Sequence, residues 1–166
     1  CSSDLHKIET EKADASIAIG YGVVDATAAT TGQISSIAFP DNKEDIYLSW
    51  IGAGLGIGVV GGLTILFNHE QILLDIFEGW HYYRQYLEKN PLLKGNQINT
   101  WNGRWISQRY DREYDSDDPL MNFNPLVPMS DGLFNLQTVP WAEVIAGIAR
   151  NNRTSNMVGY LYSIGQ

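Results

Sequence analysis

The sequence has few of the residues that cross-link small proteins or bind metals. Its 166 residues include one cysteine, Cys1, and three histidines. A single cysteine excludes an internal disulfide and a cysteine-based zinc site within one chain. The histidines form no HExxH motif and no short pair, and the sequence contains no P-loop or GxSxG motif. We therefore predict no metal site and no cofactor.

Basic residues are also scarce. The sequence has eleven lysines and arginines and nineteen aspartates and glutamates, which gives a formal net charge of −8. A surface of this sign repels phosphate backbones and anionic lipid headgroups, so nucleic acid is excluded as the expected partner. A basic protein partner fits this charge better.

What is present is typical of a globular protein. A chain of this length buries roughly 70% of its unfolded surface, and 44% of the residues are hydrophobic. Residues 1–12 are polar and lack periodicity, which indicates a flexible tether. We predict one domain over residues 13–166.

Alternating hydrophobic residues predict strands over residues 15–23 and 33–39. A stretch of 22 uncharged residues, 46–67, then alternates small and large residues through Gly52, Gly54, Gly56 and Gly58. This period predicts a strand from Ile46 to Val59, a turn at Gly61-Gly62 and a return strand over residues 63–67. The spacing of the glycines also satisfies a helix-pairing pattern of membrane proteins, so a membrane-inserting segment is the alternative.

Helical periodicity follows the hairpin. Apolar residues from Leu73 to Leu87 recur every three or four positions, Asn68 is a predicted N-cap, and Pro91 ends the helix at Asn90. We expect this helix to cover the glycines of the sheet through Gly79, with a ligand-binding trough as the alternative. Further elements are predicted as a helix at 96–110, a loop at 111–132, a strand at 133–139, a helix at 140–150 and a strand at 157–164. The predicted fold class is α+β, an antiparallel or mixed sheet with two to three helices packed on one face.

Acidic residues alternate within the predicted loop. Asp111, Glu113, Asp115 and Asp117 reproduce the first four ligand positions of a calcium-binding loop, but Ser116 and Asn122 stand where that loop needs glycine and glutamate. The run is thus more typical of a solvated surface. We interpret it as an anionic patch for a basic protein.

Aromatic residues are dense between positions 80 and 114. Tyr82 and Tyr86 point away from the Trp80/Tyr83 stripe of the predicted helix, and Trp101 and Trp105 follow on the next helix. Such residues are enriched at protein interfaces. We predict that Tyr82, Tyr86, Trp101 and Trp105 bind a partner together with the acidic run; packing between helices and a carbohydrate platform are the alternatives.

Cys1 leaves three interpretations open. The start Cys1-Ser2-Ser3 resembles a mature bacterial lipoprotein, in which lipid on the cysteine is the only membrane attachment. Cys1 is alternatively the nucleophile of an N-terminal amidohydrolase, or the chain is a piece of a larger assembly. The first interpretation predicts a non-catalytic binding protein of the bacterial cell envelope, such as an inhibitor, immunity protein or assembly component. Without the lipid, we expect a cytoplasmic protein.

Overall fold

A computed structural model of the chain describes residues 43–152 and 156–163. The chain divides into two compact units, Cys1–Gly54 and Leu55–Gln166. Cys1, the predicted tether and the predicted strands at 15–23 and 33–39 lie outside the described residues.

The described part of the first unit is helix α1, Lys43–Gly54. Glu44 and Asp45 lie in its first turn, where carboxylates favour the positive end of the helix dipole. The prediction of a strand beginning at Ile46 is therefore wrong for residues 46–54. Glycine has no side chain to assign to a polar or an apolar face, so its alternation with apolar residues is weak evidence for a strand.

The membrane alternative finds no support in the helices. Within residues 43–152 and 156–163, no helix combines the length and the apolar character needed to cross a bilayer.

The described part of the second unit contains five short strands and three helices. Its elements in chain order are β1 (Ile57–Val59), β2 (Leu63–Phe67), α2 (Glu70–Lys89), α3 (Ile98–Arg109), β3 (Leu126–Pro128), β4 (Phe134–Leu136), α4 (Trp141–Asn151) and β5 (Gly159–Tyr162). One antiparallel sheet has the order β1-β2-β5, and β3 pairs with β4 in a second antiparallel sheet. The predicted α+β class is confirmed.

The turn between β1 and β2 follows directly from its glycines. Gly61 and Gly62 have φ angles of 99° and 70°, which glycine adopts at little cost. The register then pairs Val59 with Leu63. Both the turn and the return strand agree with the prediction.

Local signals set most other boundaries. Helix α2 ends at Lys89, just before Pro91, and α3 and α4 lie where the pattern predicts them. The N-cap of α2, however, is His69 rather than Asn68, and it makes no side-chain capping hydrogen bond. Strand β3 falls within the predicted loop because its partner β4, and not its own periodicity, makes it extended.

The core of the second unit lies where the three helices meet the sheet. Two indoles and a set of branched aliphatic side chains fill it without exposure: Trp101, Trp105, Ile57, Ile72, Ile76, Ile106 and Val144.

Candidate functional site

Glycines allow helix α3 to lie directly on strand β1. A Cβ atom at Gly58 would come within 2.9 Å of the carbonyl carbon of Asn99, and one at Gly103 would collide with the Gly58 carbonyl oxygen. The covering helix is therefore α3, and the expectation that α2 covers these glycines is corrected. The reason is that Gly103 of α3 faces Gly58, whereas Gly79 of α2 faces the Trp105 ring of α3. Gly52 and Gly54 belong to α1, and Gly20 and Gly22 lie outside the described residues.

Side-chain amides reinforce this contact. The Nδ2 atoms of Asn99 and Asn102 donate hydrogen bonds of 2.9 and 2.8 Å to the Gly56 carbonyl oxygen. The indole of Trp80 in α2 donates to Asn102 Oδ1 at 3.1 Å. One buried amide thus connects α2, α3 and the start of β1. Protein atoms, rather than an open trough, occupy the glycine surface at β1.

The two tryptophans of α3 lie in the interior. Trp101 and Trp105 are both 0% exposed. Their indole N–H groups donate to the backbone carbonyl oxygens of Gly79 and Asp75 in α2, at 2.8 and 2.7 Å. The expectation that they present a binding surface is corrected, because both the ring and the polar atom of each are used in packing α3 on α2.

The two tyrosines predicted to bind are half-buried against these indoles. Tyr82 stacks on Trp105, with ring centroids 4.8 Å apart, and Tyr86 packs on Trp101 at 5.3 Å. Phe123 contacts both Trp101 and Tyr86 edge-on. Each tyrosine therefore has one face in the helix seam, and any partner reaches only the remainder.

A buried carboxylate next to this seam escaped the sequence analysis. Asp75 is 4% exposed and accepts hydrogen bonds from Tyr110 Oη at 2.6 Å and Gln71 Nε2 at 3.0 Å. Arg109 Nη2 lies 3.8 Å from Asp75 Oδ1, and Arg109 Nε lies 3.9 Å from Glu78 Oε2. Asp75 lies between Ile72 and Gly79 on the buried side of α2. An acidic residue among apolar residues of a predicted helix is the sequence feature that could have identified this site.

Burial determines the protonation of the tyrosine in this cluster. It raises the pKa of Tyr110 well above the usual tyrosine value, and the hydrogen bond to the Asp75 carboxylate raises it further. Tyr110 is thus a neutral donor to Asp75 across the physiological range. This hydrogen bond joins the C-terminal end of α3 to α2.

The acidic loop, residues 111–118, lies at the surface, and two of its aspartates hydrogen-bond to its own backbone. Asp111 Oδ1 accepts the Glu113 backbone N–H at 2.8 Å, and Asp115 Oδ1 accepts that of Asp117 at 2.9 Å. These are Asx turns, in which an aspartate organises its own backbone two residues ahead. Between them, the Tyr114 ring packs edge-on against Trp105 and 4.7 Å from the Arg109 guanidinium carbon.

The structure therefore brings part of the predicted binding set together. Tyr82 and the acidic loop converge around Trp105, beside Glu78 and Arg109. Five acids and one arginine give the loop a net charge of −4, which is half of the formal −8 of the chain. Its acids are all exposed: Asp111, Glu113, Asp115, Asp117 and Asp118.

The calcium alternative has no geometric support in the described residues, where no three acidic, histidine or cysteine side chains are placed to hold one ion. Two of the loop carboxylates instead organise backbone N–H groups.

Comparison with known proteins gives no relative: no protein-family model, curated protein or solved structure matches this chain. The geometry of the site is therefore the basis for assigning a function.

Proposed function

We propose that this chain is a non-catalytic protein-binding module whose acidic loop docks on a basic surface of a protein partner. The observation that supports this most directly is the loop itself: five exposed acids lie together, two Asx turns order its backbone, and its Tyr114 ring packs against Trp105. Fixed charges lose less conformational entropy on binding than charges on a flexible segment.

Electrostatics gives the loop a second role in association. A local charge of −4 on a chain of −8 attracts basic partners and repels nucleic acids and anionic membranes. The rim beside the loop adds the outer part of Tyr82 and the Glu78 carboxylate, which is 47% exposed. An aromatic edge beside a charged patch is typical of protein interfaces.

The test compares two triple variants of equal charge. Glu113→Gln, Asp115→Asn and Asp117→Asn neutralise three carboxylates of the loop, and the amide introduced at position 115 keeps an oxygen that can accept the backbone N–H of position 117. The control Glu70→Gln, Glu88→Gln and Glu143→Gln removes the same charge from exposed helix positions. The probe is a set of lysine- and arginine-rich peptides, paired with glutamine-substituted counterparts.

We expect the loop variant to weaken peptide binding by about tenfold or more, while the control weakens it by about twofold. Nonspecific attraction to the net charge would weaken both variants equally, and that result would contradict the proposal. A photo-crosslinking residue at the exposed Ser116 then identifies the physiological partner, whose crosslinked surface must be basic.

Attachment to the bacterial cell envelope through lipid on Cys1 is part of the same proposal. It would concentrate the acidic loop near envelope proteins without any membrane contact by the loop itself. Mass spectrometry of the native N-terminus tests it, since an unmodified Cys1 or an upstream extension removes the tether. The amidohydrolase alternative predicts that Cys1→Ala abolishes labelling by a thiol-reactive substrate analogue.

A further inference from the structure

Among the strands that the structure describes, β5 forms an edge without the protection that the other edges have. On the far side of the sheet, Val139 pairs with Val59, and the Val60 N–H donates to the Val139 carbonyl. In the smaller sheet, residues 92–94 hydrogen-bond with Phe134 of β4, and β3 ends in Pro128, which has no N–H. In the part of the chain that the structure describes, β5 is the edge left without a covering segment or a proline.

The composition of β5 adds to this contrast. Residues 156–163 contain no charge and no proline, whereas natural proteins commonly place lysine or proline on an exposed edge to prevent pairing. Tyr160 and Leu161 are 57% and 63% exposed, and Val158 is exposed beside them. An apolar, uncharged edge on a chain of net charge −8 offers a second, equally acidic copy a place of contact free of local repulsion.

The hydrogen-bond pattern shows which backbone groups face outward. Asn68 N–H donates to the Val158 carbonyl, so the pairs Leu66–Tyr160 and Thr64–Tyr162 are the hydrogen-bonded pairs of this antiparallel ladder. The backbone N–H and C=O groups of Gly159 and Leu161 consequently point away from β2, toward the open edge.

The geometry points to a two-fold symmetric homodimer in which β5 pairs antiparallel with β5 of a second copy, with the dyad at Tyr160. In this register Gly159 lies opposite Leu161 of the other copy, and the two outward-facing pairs exchange hydrogen bonds at both ends. Tyr160 lies opposite its own copy on one sheet face. The side chain of Leu161 lies over Gly159 of the other copy, which has no side chain to obstruct it and already packs against Phe67.

This register is self-complementary in size as well as in hydrogen bonding. Leu161 of each copy lies opposite Gly159 of the other. The two Tyr160 rings form an aromatic pair at the dyad, and cross-strand aromatic pairs stabilise sheets. The dimer would join two three-stranded sheets into one of six strands. It uses none of the residues of the acidic loop, so it does not rest on the proposed function.

Cysteine crosslinking tests the register in the full chain with Cys1→Ser. Residues at a non-hydrogen-bonded antiparallel pair have Cα atoms about 4.5 Å apart, which a disulfide can bridge. We expect Tyr160→Cys to form a homodimer disulfide on mild oxidation. The exposed Ser163→Cys lies three residues from the dyad and should stay monomeric. Equal crosslinking of the two variants, or none at position 160, would overturn the proposal.

Sedimentation measures the dimer without crosslinking. Tyr160→Lys puts like charges opposite each other at the dyad, and Leu92→Lys makes the same charge change at an exposed leucine of 52% exposure. We expect the first to weaken dimerisation by about tenfold or more and the second by less than about twofold. A wild-type chain that stays monomeric at all concentrations, or a dimer indifferent to Tyr160→Lys, refutes the interface. Thermal unfolding checks that both variants fold.

Discussion

At the scale of single residues, the unusual feature is a carboxylate inside an apolar helix stripe. Asp75 is tolerated because Tyr110, Gln71 and Arg109 surround it with donors and positive charge. A buried carboxylate without such partners would cost several kilocalories per mole. The hydrogen bond from Tyr110 to Asp75 therefore stabilises the folded state only while Tyr110 is protonated.

Tyr110→Phe tests this link. Loss of the hydrogen bond to a charged acceptor should lower the free energy of unfolding by about 1–3 kcal/mol at neutral pH. Because burial raises the pKa of Tyr110, its contribution is fully present below the unfolded value of about 10 and is lost as pH rises through the folded-state pKa.

The measurement is urea unfolding from pH 7 to 11. The loss of stability above about pH 10 should be smaller in Tyr110→Phe than in the wild type. It should not vanish, because burial also raises the pKa of Tyr83, Tyr86 and Tyr162. Tyr160→Phe is the control, because it keeps the ring at the proposed dyad and removes only a hydroxyl; it should leave stability unchanged, and equal effects of the two variants would contradict the role of Asp75.

At the scale of elements, glycines set how closely the helices and the sheet approach. Gly58 and Gly103 bring β1 against α3, and Gly79 brings α2 against the Trp105 ring. Glycine normally destabilises helices and strands because it loses more conformational entropy on folding than other residues. At these contacts it is favoured instead, because a Cβ atom would push the two elements apart. The indole donors then bond to the backbone carbonyls made accessible by that approach.

Gly79→Ala should therefore destabilise the second unit although alanine favours helices. A Cβ atom at this position would lie 2.6 Å from Trp105 Cγ, so the ring or the helix must shift. We expect a net loss of about 1–3 kcal/mol, typical of overpacked cores.

The matched control is Gly52→Ala in α1, where the added Cβ meets nothing within 4 Å. There the change should be neutral or stabilise by up to about 1 kcal/mol. Chemical denaturation with near-UV circular dichroism measures both variants. A stabilising Gly79→Ala would show that the close approach of α2 and α3 is not required.

At the scale of the whole molecule, one cluster of buried hydrophobic residues lies entirely within one unit, whereas the buried Ile46 of α1 belongs to the other unit. The buried members of the cluster run from Ile57 to Ile148, all within Leu55–Gln166. The helices and strands that hold the acidic loop and the β5 edge also lie in this unit. Because all members of this cluster come from residues 55–166, we predict that this segment can fold by itself.

We expect the fragment 55–166 to unfold cooperatively in urea. Four of the five tryptophans lie in it, so their fluorescence and near-UV circular dichroism report directly on its core. The loop-variant and control comparison can then be repeated on the fragment. A fragment that retains helical content but lacks a cooperative transition would contradict the prediction.

Local chemistry determined a substantial part of this protein. The glycine turn at 61–62, strand β2, the ends of α2 at Pro91 and the position of α3 all follow from signals within a few residues. The acidic loop was also evident, because alternating charges next to prolines and asparagines rarely enter a core. These features depend on backbone sterics and solvation, which the neighbouring sequence fixes.

Only the tertiary structure decided the rest. Residues 46–54 form a helix despite their alternation, α3 rather than α2 covers Gly58, and Trp101 and Trp105 are interior residues. The last two outcomes depend on which distant segment supplies the partner: a glycine of α3 for Gly58, and backbone carbonyls of α2 for the two indoles. Periodicity shows which positions along an element carry apolar or small residues. Which other element packs against those positions is decided by contacts between residues that are distant in the sequence.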